Sequence, residues 1–154
     1  MNKKTISIIL LIAFLATIIL TAANVILTDE NTDVNQTGTL TIDNRTVYYE
    51  KAGKCLDVID GNTIQVYGVG RVQLTQVGIA KEEPNFTHAK DFVSEKCLGK
   101  TVYLDIDDKQ PKDKYDRTLA IAYTNETNVN KELLENKLAE VSYFEPSEFK
   151  KGLE

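Results

Sequence analysis

Histidine and cysteine are scarce in this chain, and positive charge is not in excess. One histidine, His88, and two cysteines, Cys55 and Cys97, are present among 154 residues. One imidazole and two thiols fall short of the four ligands of a structural zinc site. A lone histidine also gives no basis for a cysteine–histidine dyad, and His88 reads as a surface residue. Lysine and arginine number 18 against 23 acidic side chains, a formal charge of −5. Nucleic-acid binding draws on basic surface and counterion release. This balance makes the chain a poor general nucleic-acid binder and leaves room only for a local basic pocket. The length suits one domain.

Long apolar runs are absent apart from one. After Lys3 and Lys4 the chain is nearly uninterrupted apolar over residues 6–27. About 22 residues at about 1.5 Å each reach roughly 33 Å, enough for a hydrocarbon core of about 30 Å. Two readings compete for residues 1–27. A signal anchor stays; a signal peptide is cut after Thr21-Ala22-Ala23. Either way the two lysines hold the N-terminus in the cytoplasm. The rest is then expected outside it, membrane-anchored through residues 6–27 or secreted if the leader is cleaved. Without Lys3 and Lys4 the balance is 16 basic against 23 acidic side chains, a net of −7. Asn35, Asn44, Asn85 and Asn125 each open an Asn-x-Thr sequon, so an exported chain offers N-glycosylation sites. Two cysteines also suit an exported domain, as a disulfide. A Cys55–Cys97 bridge would close a loop of about 40 residues, worth at most roughly 4 kcal/mol. Two buried free thiols are the other reading.

The remainder is short alternating runs and turns. Residues 28–38 form a linker rich in Asp, Asn and Thr. Thr39–Ile42 and Thr46–Tyr49 alternate around Asp43-Asn44-Arg45 and read as a hairpin. It either extends the sheet that follows or lies over one end. Lys54 to Val66 reads as two strands joined at Gly61-Asn62. The oxygen-rich tip Asp60-Gly61-Asn62-Thr63 reads as a plain turn or as a seat for a hard cation. Val72–Leu74 continues as a strand, and a helix with N-cap Thr87 carries Ala89, Phe92, Val93 and Cys97 on one face. Strands follow at Thr101–Ile106 and Thr118–Tyr123. Asn130 reads as the cap of a last helix whose Leu133, Leu134 and Leu138 face inward.

This order, and the motifs Asp60-Gly-Asn-Thr63, Asp113-Lys-Tyr-Asp-Arg-Thr-Leu-Ala120 and Leu138-Ala-Glu-Val141, resemble the thermonuclease (staphylococcal nuclease) family from about Cys55 to Tyr143. The resemblance implies an α+β fold: a five-stranded OB-type β-barrel with two helices, here preceded by the transmembrane or signal helix and a β-hairpin. The implied organisation is a leader at 1–27, linker at 28–38, hairpin extension at 39–53, thermonuclease-like domain at 54–145 and tail at 146–154. The family hydrolyses phosphodiesters of DNA and RNA with calcium, two arginines and a glutamate.

Several family positions are substituted. The tip's second carboxylate, a calcium ligand, falls on Asn62. The first catalytic arginine falls on Gln73, the other metal carboxylate on Gly78 and the glutamate on Lys81. Arg117 matches the second arginine. Losing a general base costs roughly 10²–10⁴-fold, and losing a donor to the developing charge on the order of 10²–10³-fold. The resemblance therefore implies a catalytically degenerate relative acting as a binding or structural module. The alternative is an active nuclease in which a two-residue slip brings Glu83 to work with Arg117, with calcium on Asp60. Lys114, Tyr115 and Tyr143 would lie where the family holds the nucleotide, and Asp116, a glycine in the family, is expected to pair with Arg117.

Overall fold

The computed structural model describes residues 37–153. Eleven elements follow in order: β1 (Gly38–Ile42), β2 (Arg45–Tyr49), β3 (Lys51–Asp60), β4 (Thr63–Val66), β5 (Gly70–Leu74), β6 (Gln76–Gly78), α1 (Asn85–Cys97), β7 (Thr101–Ile106), β8 (Thr118–Tyr123), α2 (Val129–Glu135) and β9 (Glu140–Ser142). Five of the strands close a barrel in the order β3-β4-β5-β8-β7. The expected five-stranded barrel with two helices is therefore present among the described residues. Residues 6–27 and nearly all of the 28–38 linker lie outside them. No helix among the described residues is long and apolar enough to cross a membrane.

The long strand β3 closes the barrel by serving two neighbours. Lys51–Lys54 pair with β7, and Cys55–Asp60 pair with β4. Register shifts between Cys55 and Asp57, and between Val58 and Asp60, bend the strand as it passes from one partner to the other. Inward positions are branched and apolar: Ile64, Val66, Val72, Leu74, Val102 and Leu104 are fully buried. Burying such side chains stabilises by about 1.5–3 kcal/mol each. The helices seal the barrel through Ala89, Val93 and Cys97 of α1 and Val129 and Leu133 of α2. Gly61 permits this closure: a Cβ there would stand 2.6 Å from the Ala89 Cβ.

The helix caps differ from the sequence expectation. α1 starts two residues before Thr87, with Pro84 at its cap. Glu83 reaches over the first turn instead, accepting from the Thr87 hydroxyl at 2.8 Å and its N–H at 3.3 Å. α2 is capped by Asn128, whose side chain accepts from Lys131 N. Asn130 is fully buried: its Oδ1 accepts from Ala122 N at 2.9 Å, and its Nδ2 donates to Thr75 O at 2.9 Å and Ala120 O at 3.2 Å. A cap and a core linchpin look alike in sequence, since both are one asparagine ahead of an apolar face.

The expected disulfide is also corrected. Cys55 and Cys97 are free, buried thiols. Burial pushes Cys55 up to about 11 and Cys97 up to about 12, so both stay protonated and act as small apolar side chains of the core.

The hairpin ahead of the barrel forms its own two-stranded sheet. Asp43 and Asn44 both take positive φ (50° and 59°), as a two-residue hairpin turn requires. Ile42 packs with Ile121 and Tyr123 on the barrel's outer surface, and Tyr49 meets Tyr103 edge-on at 4.9 Å. The third sheet, β6 with β9, had no counterpart in the sequence reading.

Candidate functional site

A cleft of about 190 Å³ opens beside the barrel. Its walls come from the end of β5, from β6, from the loop after β7, and from β9 and the chain just after it. Its polar and aromatic lining includes Gln73, Gln76, Asp107, Asp113, Arg117 and Phe144.

The loop Asp113–Arg117 is built around one carboxylate. Asp113 Oδ1 accepts from Tyr115 N at 2.8 Å and Arg117 N at 3.0 Å. Its Oδ2 accepts from Arg117 Nε and pairs with Nη2, both at 2.7 Å. Partial burial raises the Asp113 carboxyl, and the hydrogen bonds from Arg117 and Tyr115 outweigh this, leaving it below the ordinary value. Arg117 Nη1 reaches on to the Thr63 hydroxyl at 3.3 Å, which joins the loop to the β3–β4 tip. Asp116 holds φ at 62°, the conformation that favours the family's glycine. It pairs with Lys112 at 2.5 Å, not with Arg117 as expected; Asp113 takes the arginine.

Several predicted residues lie close together. Tyr115 is 69% exposed, with Lys114 Nζ 5.0 Å and Arg117 Cζ 5.4 Å from its ring centre. Of these three, Arg117 lines the cleft. Tyr143 is half-buried and not among the lining residues; its neighbours Ser142 and Phe144 are. Glu83 is exposed at the start of α1, bound to Thr87 and outside the cleft lining. Lys81 is exposed as well.

The hairpin tip is committed to turn geometry. Asp60 Oδ1 accepts from Asn62 N at 2.9 Å. Asn62 Nδ2 donates to Val77 O at 2.8 Å, and its Oδ1 accepts from the Thr63 hydroxyl at 3.3 Å. Gly78 pairs with Glu140 across β6–β9, and a Cβ there would lie 3.1 Å from the Ser142 Cβ. Calcium wants six or more oxygens, several of them charged. Asp60, a tethered Asn62 and a bare Gly78 do not fit it. No group of three or more His, Cys, Asp or Glu among the described residues is arranged to hold a metal.

The model of the staphylococcal nuclease homologue family matches residues 63–153, more than half of the chain. The chain belongs to this family. It is also similar to the thermonuclease of Staphylococcus hyicus, 32% identical over 108 residues, covering 64% of this chain and 63% of that enzyme. The matched segment thus spans less than two thirds of the thermonuclease.

Two lining residues of this thermonuclease-family cleft, Phe144 and Asp107, escaped the sequence reading, and a third, Gln73, was read only as the position of the missing arginine. Phe144 is 73% exposed. Gln73 Oε1 is buried with no hydrogen-bond partner among the described residues. Asp107 is 1% exposed and saturated: Oδ2 accepts from the Ser147 hydroxyl at 2.6 Å, and Oδ1 from the N–H groups of Lys109, Gln110 and Glu148. Its partners Ser147 and Glu148 are some 40 residues away, and no local pattern announces them.

Proposed function

We propose that this chain is an exported, membrane-tethered thermonuclease-fold domain without useful phosphodiesterase activity, serving as a binding or structural module. Lys3, Lys4 and the apolar run over residues 6–27 support the tether and the export. The observation that carries the loss of catalysis is the state of the hairpin tip and β6. Asn62 is tied to Val77, and Gly78 lies against Ser142. The two positions that would supply metal carboxylates are thus neutral and built into the fold. Gln73 and Lys81 remove the first arginine and the glutamate as well, and no other group takes their places in the cleft lining.

The test is cleavage of single-stranded DNA with calcium and with a chelator. A variant carrying Gln73→Arg, Gly78→Asp, Lys81→Glu and Asn62→Asp runs beside the native chain, with Ser142→Gly to make room at residue 78. Native chain inert and restored variant active is the expected pair of results. Calcium-dependent cutting by the native chain would sink the reading, and Glu83→Gln would be the next variant to assay.

A further inference from the structure

The hairpin ahead of the barrel has an open edge. Among the described residues β1 pairs with β2 alone. The two-residue turn at Asp43-Asn44 makes Ile42 and Arg45 a hydrogen-bonded pair. Such pairs alternate along antiparallel strands, so Leu40–Val47 and Gly38–Tyr49 are the next two. The N–H and C=O groups of Thr39 and Thr41 therefore point away from β2. Among the described residues no hydrogen bond satisfies them, and both threonines are exposed.

An edge of this kind is a template for another strand, and proteins blunt theirs with lysine, proline or a bulge. Gly38–Ile42 carries none of these: it reads Gly-Thr-Leu-Thr-Ile, and its register with β2 is unbroken. Leu40, Ile42 and Val47 pack toward the barrel. The opposite face of the hairpin is uncharged, with Thr39, Thr41, Thr46 and a half-exposed Tyr48. The free groups are also self-complementary. Turned antiparallel about Leu40, a second β1 sets Thr39 opposite Thr41 of the second copy, and Thr41 opposite its Thr39. Each of the two pairs exchanges both hydrogen bonds, and Leu40 meets Leu40 between them. Any other register pairs fewer of these groups. Threonines facing each other across strands add to the pairing.

We infer that β1 is a self-association edge: two copies of this chain join β1 to β1 antiparallel, with a two-fold axis at Leu40, into a four-stranded sheet of order β2-β1-β1-β2. The pairing rests on the tethered binding-module reading and makes the partner a second copy of the chain. One five-residue edge buries well under the roughly 1,200–2,000 Å² of a stable soluble complex. Two chains held in one membrane meet at a raised effective concentration, and that is where the pair forms.

Cysteine crosslinking of the full chain on lipid vesicles tests it, with Thr39→Cys and Thr41→Cys as two separate variants. Across the paired edge these two positions stand about 5.5 Å apart between Cα atoms, within disulfide reach. Two copies of one variant lie beyond the roughly 7 Å limit. Cys55 and Cys97 are buried and stay out of the reaction. On mild oxidation, vesicles holding both variants should yield at least about tenfold more disulfide dimer than vesicles holding either alone. A fivefold excess of native chain should cut that yield about fivefold, and the same excess of a Thr39→Lys, Thr41→Lys chain by less than about twofold, because lysine blocks the edge. Should the lysine variant lose its melting transition, the comparison of mixed with single variants still decides. No dimer, equal yields from mixed and single variants, or equal competition by native and lysine chains overturns the inference. Flotation with the vesicles reads the tether separately. A chain that crosslinks without floating keeps the pairing and loses the tether; a chain that floats without crosslinking does the reverse.

Discussion

Asp113 grips Arg117 from four residues upstream, its Oδ2 meeting both Nε and Nη2 at 2.7 Å. The pair is mostly buried, with side-chain exposures of 14% for the carboxylate and 24% for the guanidinium. The loop is therefore folded around the same arginine that a nuclease would aim at phosphate. Asp113→Asn keeps an acceptor for the two backbone N–H groups and removes the ion pair alone. It should destabilise the chain by about 1–3 kcal/mol at pH 7. Asp113 titrates below its unfolded value, so its contribution is present above the ordinary carboxylate range and lost as the pH falls through the lowered folded value. Urea midpoints for the two proteins should converge in acid. A constant gap across pH would contradict the assignment.

Asp105 sits in the opposite situation. Burial, followed by the charges of Glu50, Glu148, Asp108 and Asp107, pushes it up to about 7. It also helps to raise the buried Tyr123 beside it to about 12, where burial is the larger cause. A carboxyl raised in the fold costs no stability below its unfolded value near 3.8; the penalty builds between there and about 7 and is constant above. Asp105→Asn should be close to neutral at pH 4 and stabilising at pH 8, on the order of 1–3 kcal/mol after allowing for solvent screening. Thermal melts at the two pH values decide it. Equal effects at both would show that the carboxyl is not raised.

The buried thiols make a chemical prediction. Cys55 and Cys97 are fully buried and strongly disfavour the thiolate, the form that reacts. Iodoacetamide should leave the native chain unmodified at pH 8 and add two groups once the chain is unfolded without reductant. Mass spectrometry reads the result directly. No addition after unfolding would mean that the two sulfurs are bridged.

The barrel was legible because its strands alternate and its turns carry Gly, Asn and Asp. The strands Thr101–Ile106 and Thr118–Tyr123 match their expected bounds residue for residue. The loop around Arg117 was legible too, as a charged run with a family motif. What could not be read were long-range partners. Nothing local to Asn62 says that its amide holds Val77, and nothing near Asn130 separates a cap from a buried bridge between α2, β8 and Thr75. Phe144 follows a three-residue strand too short to show a period, so its place on the cleft depends on β9 pairing with β6.

Gln76 shows what that long-range order controls. It is 4% exposed and holds φ at 63°. Its Nε2 donates to Lys150 O at 3.0 Å, and its Oε1 accepts from Gly152 N at 2.8 Å. One amide thus clamps the tail's backbone at two points, while Ser147 and Glu148 fasten it to Asp107. Phe149 and Leu153 then pack beside Ile121 and Tyr123. Gln76→Ala removes both clamps and leaves the Asp107 attachment. It should cost about 1–3 kcal/mol, and the loss should be local. Amide exchange should quicken over residues 149–153 by roughly tenfold or more, and the barrel strands should keep their protection. Uniform acceleration across β4, β5 and β8 would mean instead that the tail is integral to the barrel's cooperative core, and the clamp would lose its meaning as a separate element.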